Sequence, residues 1–316
     1  MARDIPSIDQ MISDIRAQVG DGRVICALSG GVDSAVTATL VHKAIGDQLT
    51  CVFVNHGLMR KDEPAQIEEV FRDQFHMDLI HLDYEERYLE LLKDVTNPEE
   101  KRNIIGGEFW KVFFEEAEKL EGVKYLAQGT IYPDIIETGT EGTEHVKSHH
   151  NVVPFPPGVH FELVEPLKYL YKDEVRQLGL ELGLPEHIVW RQPFPGPGLG
   201  VRVIGSLTKE KLDMLREADA IVREEIAAWD TERTVWQYFC VLADIQSTGT
   251  EDGKRTYAHP IIIRAIHSTN AMTADVAQLP YDLLVKLSTR IVNEVEGVNR
   301  VAYDITPKPP ATIEWE

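Results

Sequence analysis

Arg23-Val24-Ile25-Cys26-Ala27-Leu28-Ser29-Gly30-Gly31-Val32-Asp33-Ser34-Ala35-Val36 is the segment from which the architecture can be read. An apolar run of strand length, Val24 to Leu28, ends at paired glycines and passes directly into a helical stretch, Asp33 to Ile45, before a second apolar run from Leu49 to Val54. Strands buried on both faces read as continuous apolar runs, and a helix between two of them is the crossover of a parallel βαβ unit. The turn itself carries chemistry. Glycines let a ligand approach the backbone, and the helix behind them presents unpaired N–H groups and a partial positive charge to an anion. Ser29 and Ser34 add hydroxyl donors.

Outward from this turn the same alternation continues. Pro64 to Phe75 and Glu99 to Leu120 have helical periodicity, Leu79 to Leu82 and Tyr125 to Ala127 read as strands, and Lys172 to Leu182 is the last helix of the series. The expected first domain, residues 1–190, is α/β with a mainly parallel sheet. Between Ile131 and Phe161 neither period is visible, and a loop of that length is usually functional. The Pro/Gly-rich run Arg191 to Gly200, RQPFPGPGLG, excludes regular structure and marks the junction with a second domain, residues 191–316. There Thr208 is an N-cap for a long helix to about Trp229. Val235 to Ile245 and Tyr257 to His267 are expected to pair around the turn Glu251-Asp252-Gly253, followed by a helix from Tyr281 to Val295 and a strand from Arg300 to Ile305. The second domain is therefore a smaller α+β module.

Composition narrows the function. The 316 residues carry 32 Lys and Arg against 52 Asp and Glu, a formal charge of −20, which repels nucleic acid and anionic membranes alike. Neither is expected as a partner. Cys26, Cys51 and Cys240 form no CxxC pair and no even-numbered disulfide framework, which fits a reducing cytoplasm. The first twenty residues contain Asp4, Asp9 and Asp14 and no export signal, and no run of ~20 apolar residues occurs. A cytoplasmic protein is the expectation.

SGGVDS has neither the GxxxxGK[ST] nor the GxGxxG spacing. It resembles the pyrophosphate loop of the N-type ATP pyrophosphatases, an adenine nucleotide α-hydrolase-like fold. Leu126 to Asp134, Lys147-Ser148-His149-His150-Asn151, Arg191 to Gly200 and Pro309 to Glu316 are similar to the synthetase part of the GMP synthetase family. The resemblance implies a carbon–nitrogen ligase that adenylates XMP with ATP and Mg²⁺, releases pyrophosphate, and lets ammonia convert the intermediate to GMP and AMP. No cysteine occupies a Gly-rich nucleophile turn, so ammonia is expected from a glutamine amidotransferase, as a separate subunit or a further domain, or from free ammonium. The C-terminal module resembles the family's dimerisation and XMP-binding domain, which implies a homodimer. Other ligases with this loop, such as NAD synthetase, and a nonenzymatic nucleotide sensor are the alternatives.

The resemblance also assigns residues. ATP falls to Ser29, Gly30, Gly31, Val32, Asp33, Ser34 and Ala35, with Val54 and Gly129 beside them. A carboxylate near phosphates is repulsive unless a cation intervenes, so Asp33 is the Mg²⁺-linked residue, a helix N-terminal acid being the structural alternative. Ala35 stands where serine is common, and Asn55 where many members have aspartate. Asp134 and Glu137 lie just beyond a strand end, where open α/β sheets place ligands, and would position Mg²⁺ or the lid's basic groups. Lys147, His149 and His150 lack zinc-ligand spacing. In the resemblance they form the lid, Lys147 neutralising phosphate charge and the histidines orienting ATP or XMP. XMP falls to Arg191, whose planar fork suits phosphate, to Lys308 and Thr312 at the phosphate, to Glu314 near the base or ribose, and to Ile313. Gln246, in the looser match Gln246 to Thr250, is a further substrate contact.

Overall fold

The computed structural model describes residues 6–138, 160–269 and 271–316. In chain order these form α1 (Ile8–Val19), β1 (Arg23–Ala27), α2 (Val32–Ile45), β2 (Leu49–Asn55), α3 (Glu63–Ile67), β3 (Asp78–Asp83), α4 (Glu85–Leu91), α5 (Pro98–Ala117), β4 (Val123–Ala127), α6 (Tyr132–Thr138), β5 (Glu162–Val164), α7 (Lys172–Glu181), α8 (Glu186–Val189), α9 (Lys209–Trp229), β6 (Gln237–Leu242), β7 (Ser247–Glu251), β8 (Lys254–His267), β9 (Asp275–Val276), α10 (Tyr281–Glu294) and β10 (Val298–Tyr303). None of the described helices is long and apolar enough to cross a membrane.

The chain divides into two compact units, one of Met1–Asn55, Glu63–Tyr84 and Gly107–Arg191, the other of His56–Asp62, Glu85–Gly106 and Gln192–Glu316. The second unit thus takes in two segments that a single cut at 190/191 leaves with the first. Their side chains explain it: Leu58, Tyr88 and Leu92 are fully buried, and the Leu58 carbonyl accepts from the Leu199 amide at 2.8 Å. Gly198, at φ 61°, has no room for a side chain there, since a Cβ would sit 2.2 Å from the Leu58 oxygen.

The first unit is built on a parallel sheet in the order β3-β2-β1-β4-β5. Chain order reverses between β1 and β4, and crevices at such switch points, beyond the carboxyl ends of strands, are where open α/β sheets bind ligands. The apolar run of β1 is buried at Val24, Ile25 and Cys26, and β2 is buried from Leu49 to Val54, as continuous apolar runs require. Ser7 caps α1, its hydroxyl accepting from the Gln10 amide at 3.2 Å.

In the second unit the fourteen-residue strand β8 is central: β10 runs parallel to it, and β6, β7 and β9 pair with it antiparallel. Thr208 caps α9 by accepting from the Lys211 amide at 3.2 Å, as the sequence predicts. The turn at Glu251 to Gly253 closes a hairpin between β7 and β8, not between β6 and β8, because Ser247 to Glu251 pairs with the start of β8.

Three further expectations change. The stretch after Ile131 begins with a helix, α6, and ends at a strand, β5, each too short to display its period. Pro64 to Phe75 is an α-helical turn continuing as a π-helix, Glu68–Gln74, and α8 follows α7. Within the Pro/Gly run, Gly198–Val201 forms a 3₁₀ turn.

Candidate functional site

The turn at the end of β1 is held open by its own side chains. Gly30 has φ 78°, a conformation natural to glycine, and a Cβ there would meet Arg191 Nη1 and Ile67 Cδ1 at 3.0 Å. Ser29 and Ser34 hydroxyls lie 3.0 Å apart, and Ser34 Oγ donates to the Gly31 carbonyl at 2.9 Å. Gly31 is the N-cap of α2 without a side-chain cap, which leaves first-turn amides for a ligand. Asp33 lies in that first turn. Lys172 Nζ donates to its Oδ2 at 2.5 Å, whereas Oδ1 is buried with no partner among the described residues.

Gly129, after β4, closes the other side of the switch point. A Cβ there would lie 3.0 Å from the Asp33 carbonyl carbon and 3.1 Å from its oxygen, so the absence of a side chain permits this approach. Val32, Ala35 and Val54 are buried and shape the surroundings. Arg191, assigned to XMP by the resemblance, instead stands against this loop: Nη1 donates to the Gly30 carbonyl at 2.6 Å, and the guanidinium pairs with buried Glu63. Asn55 Nδ2 donates to Asp83 Oδ1 at 3.4 Å.

Asp134 is the third residue of α6, where its Oδ2 accepts the Ile131 amide at 2.9 Å, the contact of a helix-capping acid. Glu137 belongs to the same helix by its backbone. Lys147, His149 and His150 lie outside the described residues. Among the described residues no group of three or more His, Cys, Asp or Glu is arranged to hold a metal. A Mg²⁺ ion held by one or two carboxylates plus substrate phosphates needs less, and the buried Asp33 Oδ1, without a partner among the described residues, fits that donor set.

The second unit gathers the C-terminal residues. Lys308 Nζ donates to the Ala271 carbonyl at 2.8 Å, and its backbone pairs with Ala274. Thr312, exposed, donates its hydroxyl to the Glu314 carbonyl at 2.5 Å. Glu314 receives a bidentate pair from Arg202, Nε at 3.0 Å and Nη2 at 2.9 Å, and Gln237 Nε2 at 3.4 Å. Fully buried Arg264 donates to the carbonyls of Ile313 at 2.8 Å and Thr312 at 2.9 Å, and to Asp304 Oδ2 at 2.8 Å. Gln246 is exposed on the connection from β6 to β7. The structure thus anchors Lys308 at Ala271 and Ala274, and Thr312, Ile313 and Glu314 at Arg264 and Arg202.

None of the three cysteines has the surroundings of a nucleophile. Cys26 and Cys51 are register partners on β1 and β2, and their mutual hydrogen bond and burial push the Cys51 thiol well up. Burial first of all does the same to Cys240.

Residues 5–108 match the NAD synthase family, and residues 224–315 match the GMP synthase C terminal domain family. Relatives called GMP synthase (glutamine-hydrolyzing) from Clostridium tetani and Geobacillus kaustophilus are 59% identical over 308 and 309 residues, 98% of this chain. Over nearly its whole length the chain is thus similar to part of these GMP synthases. It covers 60% of the length of the first relative and 61% of the second.

Each of the two regions, the glycine turn and the C-terminal tail, includes residues that sequence reasoning missed. Lys172 was readable in principle, as the first residue of a helix following a strand, at the sheet edge where ligands bind. Arg202 and Arg264 left no such signal, since only the fold shows that their guanidiniums are 0% exposed and turned to the tail.

Proposed function

We propose that this chain is the synthetase portion of a GMP synthase, with ATP as co-substrate at the glycine turn and XMP at the tail. An oxygen of the XMP base attacks the α-phosphorus of ATP, and the bond to the β-phosphate bridging oxygen breaks, releasing pyrophosphate. Ammonia then displaces AMP from the adenylated carbon, giving GMP and a proton. The observation that carries this reading is Asp33, a carboxylate with a buried oxygen lacking a partner among the described residues, at a helix N-terminus beside the sheet's switch point. A divalent cation, when bound there, neutralises phosphate charge. The first-turn amides of α2 cradle the leaving pyrophosphate, Gly129 keeps the approach clear, and Lys172 adds a positive charge next to Asp33. Glu137, Lys147, His149 and His150 are assigned to the lid in this reading, with Asp134 at its base.

The NAD synthase match covers residues 5–108, which include the glycine turn, and the match over residues 224–315 favours XMP as the acceptor. Ammonia comes from glutamine through a glutamine amidotransferase subunit or domain, and the C-terminal module forms a homodimer. The test is to incubate the chain with ATP, Mg²⁺, XMP and ammonium. Equal yields of GMP, AMP and pyrophosphate are expected, with no GMP when glutamine replaces ammonium until an amidotransferase is added. ADP and phosphate as products, or ATP cleavage indifferent to XMP, would contradict the reading.

A further inference from the structure

Lys101, in the first turn of α5, has a side chain with 0% exposure. An ammonium is among the groups least often fully buried, because leaving water costs more than most contacts return. Here its three protons each find an acceptor: the Val203 carbonyl at 2.8 Å, the Gly200 carbonyl at 3.3 Å and the carboxylate of Glu316. The other Glu316 oxygen accepts the Gly205 amide at 2.9 Å. Burial pulls the Lys101 pKa below the ordinary lysine value and Glu316 draws it back up. Two apolar side chains would fill this space at least as stably, so the bond's distinct contribution is direction. It points at the tail, because Glu316 is two residues beyond Glu314 and four beyond Thr312.

We propose that Lys101 is a positioning residue: by holding Glu316 against the Gly200 to Gly205 segment, it fixes where Thr312 and Glu314 stand for a purine nucleoside monophosphate. The inference rests on the reading of the tail as the XMP site. Arg202 and Arg264 hold the tail at Glu314 and at the Thr312 and Ile313 carbonyls, so Lys101 fixes its last residues. Without that bond the segment from Thr312 onward retains its chemistry and loses its register.

The experiment compares Lys101→Met, Glu316→Leu and the double variant with the wild type in steady-state GMP synthesis from ammonium, and by hydrogen exchange of tail peptides. All three are expected to raise KM for XMP about tenfold, the equivalent of ~1.4 kcal/mol, with kcat and KM for ATP within twofold, and to speed exchange over residues 311–316. The double variant is decisive because it leaves no buried charge unpaired. Recovery of the wild-type KM for XMP in that variant would reduce the bond to a structural one and overturn the proposal, as would unchanged tail exchange in every variant. Should Lys101→Met not fold, Glu316→Leu, altered only at the tail's last residue, tests the same bond from its other end. Failure of the wild type to make GMP from XMP would instead overturn the reading of the site, and its exchange data would still report whether Lys101 orders the tail.

Discussion

At the glycine turn Asp33 keeps one buried carboxylate oxygen without a partner among the described residues, and the Ser29 and Ser34 hydroxyls bond to each other and to Gly31. In the C-terminal tail the carboxylates of Asp304, Glu314 and Glu316 each meet a fully buried cation, Arg264, Arg202 and Lys101 in turn. A buried polar group left unpaired costs about 1 to 3 kcal/mol, a cost that a ligand completing Asp33 would remove. Buried carboxylates that are matched, by contrast, define a shape, although Arg202 Nη1 is itself buried with no partner among the described residues. The first region exposes its chemistry in its sequence; the second is built on contacts between residues a hundred or more positions apart, Arg202 with Glu314 and Lys101 with Glu316.

This contrast collapses if the tail's cations prove dispensable. Arg264→Met removes the donors to Ile313, Thr312, Thr306 and Asp304 and leaves the Asp304 carboxylate with a reduced partner set. A loss of about 3 to 5 kcal/mol in urea unfolding is expected. Asp33→Ala tests the opposite region. It should lower the rate of pyrophosphate release by ~10² to 10³. Its effect on stability should stay under about 1 kcal/mol, since the Lys172–Asp33 pair is 41% and 28% exposed.

A third variant probes the buried framework by pH. Burial and nearby Arg216 lower the pKa of His56 to about 4, and its Nδ1 accepts the Leu58 amide at 3.0 Å. Between pH 6.5 and 4 the unfolded chain takes up a proton that the folded chain refuses, so stability falls as pH falls through this window and is fully retained above it. His56→Asn keeps an acceptor for Leu58 and removes the titration. Its stability should drop by about 2 kcal/mol less than that of the wild type between about pH 7 and pH 5, read from denaturant midpoints. The smallest effect is expected at the turn's hydroxyls. Ser34→Ala deletes the bonds to Ser29 and Gly31 but leaves the helix amides, so pyrophosphate release should slow by no more than about tenfold, one neutral hydrogen bond.

Which residues were visible before the fold, and which were not, follows from their physics. The β1, α2 and β2 unit was legible because strands buried on both faces must be apolar throughout and the glycine turn sits between them. The cap at Thr208 and the ends of α9 were legible for a similarly local reason. Glu162–Val164 carried no signal, since three residues cannot show alternation, and Ser247–Glu251 became a strand through its partner β8. Among site residues, Asp33 stood out by type and place, whereas Gly129 came from the resemblance. Lys308 and Glu314 needed the resemblance, while Lys101 is one lysine in the acidic first turn of a helix until the fold buries it.

That the glycine turn and the tail serve different ligands is tested most directly by calorimetric titration of Asp33→Ala and Lys308→Ala with XMP and with ATP and Mg²⁺. Asp33→Ala should keep its XMP affinity within a few fold, whereas Lys308→Ala should lose about tenfold or more for XMP, the worth of one charge-assisted hydrogen bond, and still bind ATP. Equal loss of both ligands in both variants, or XMP affinity untouched in Lys308→Ala, would contradict it.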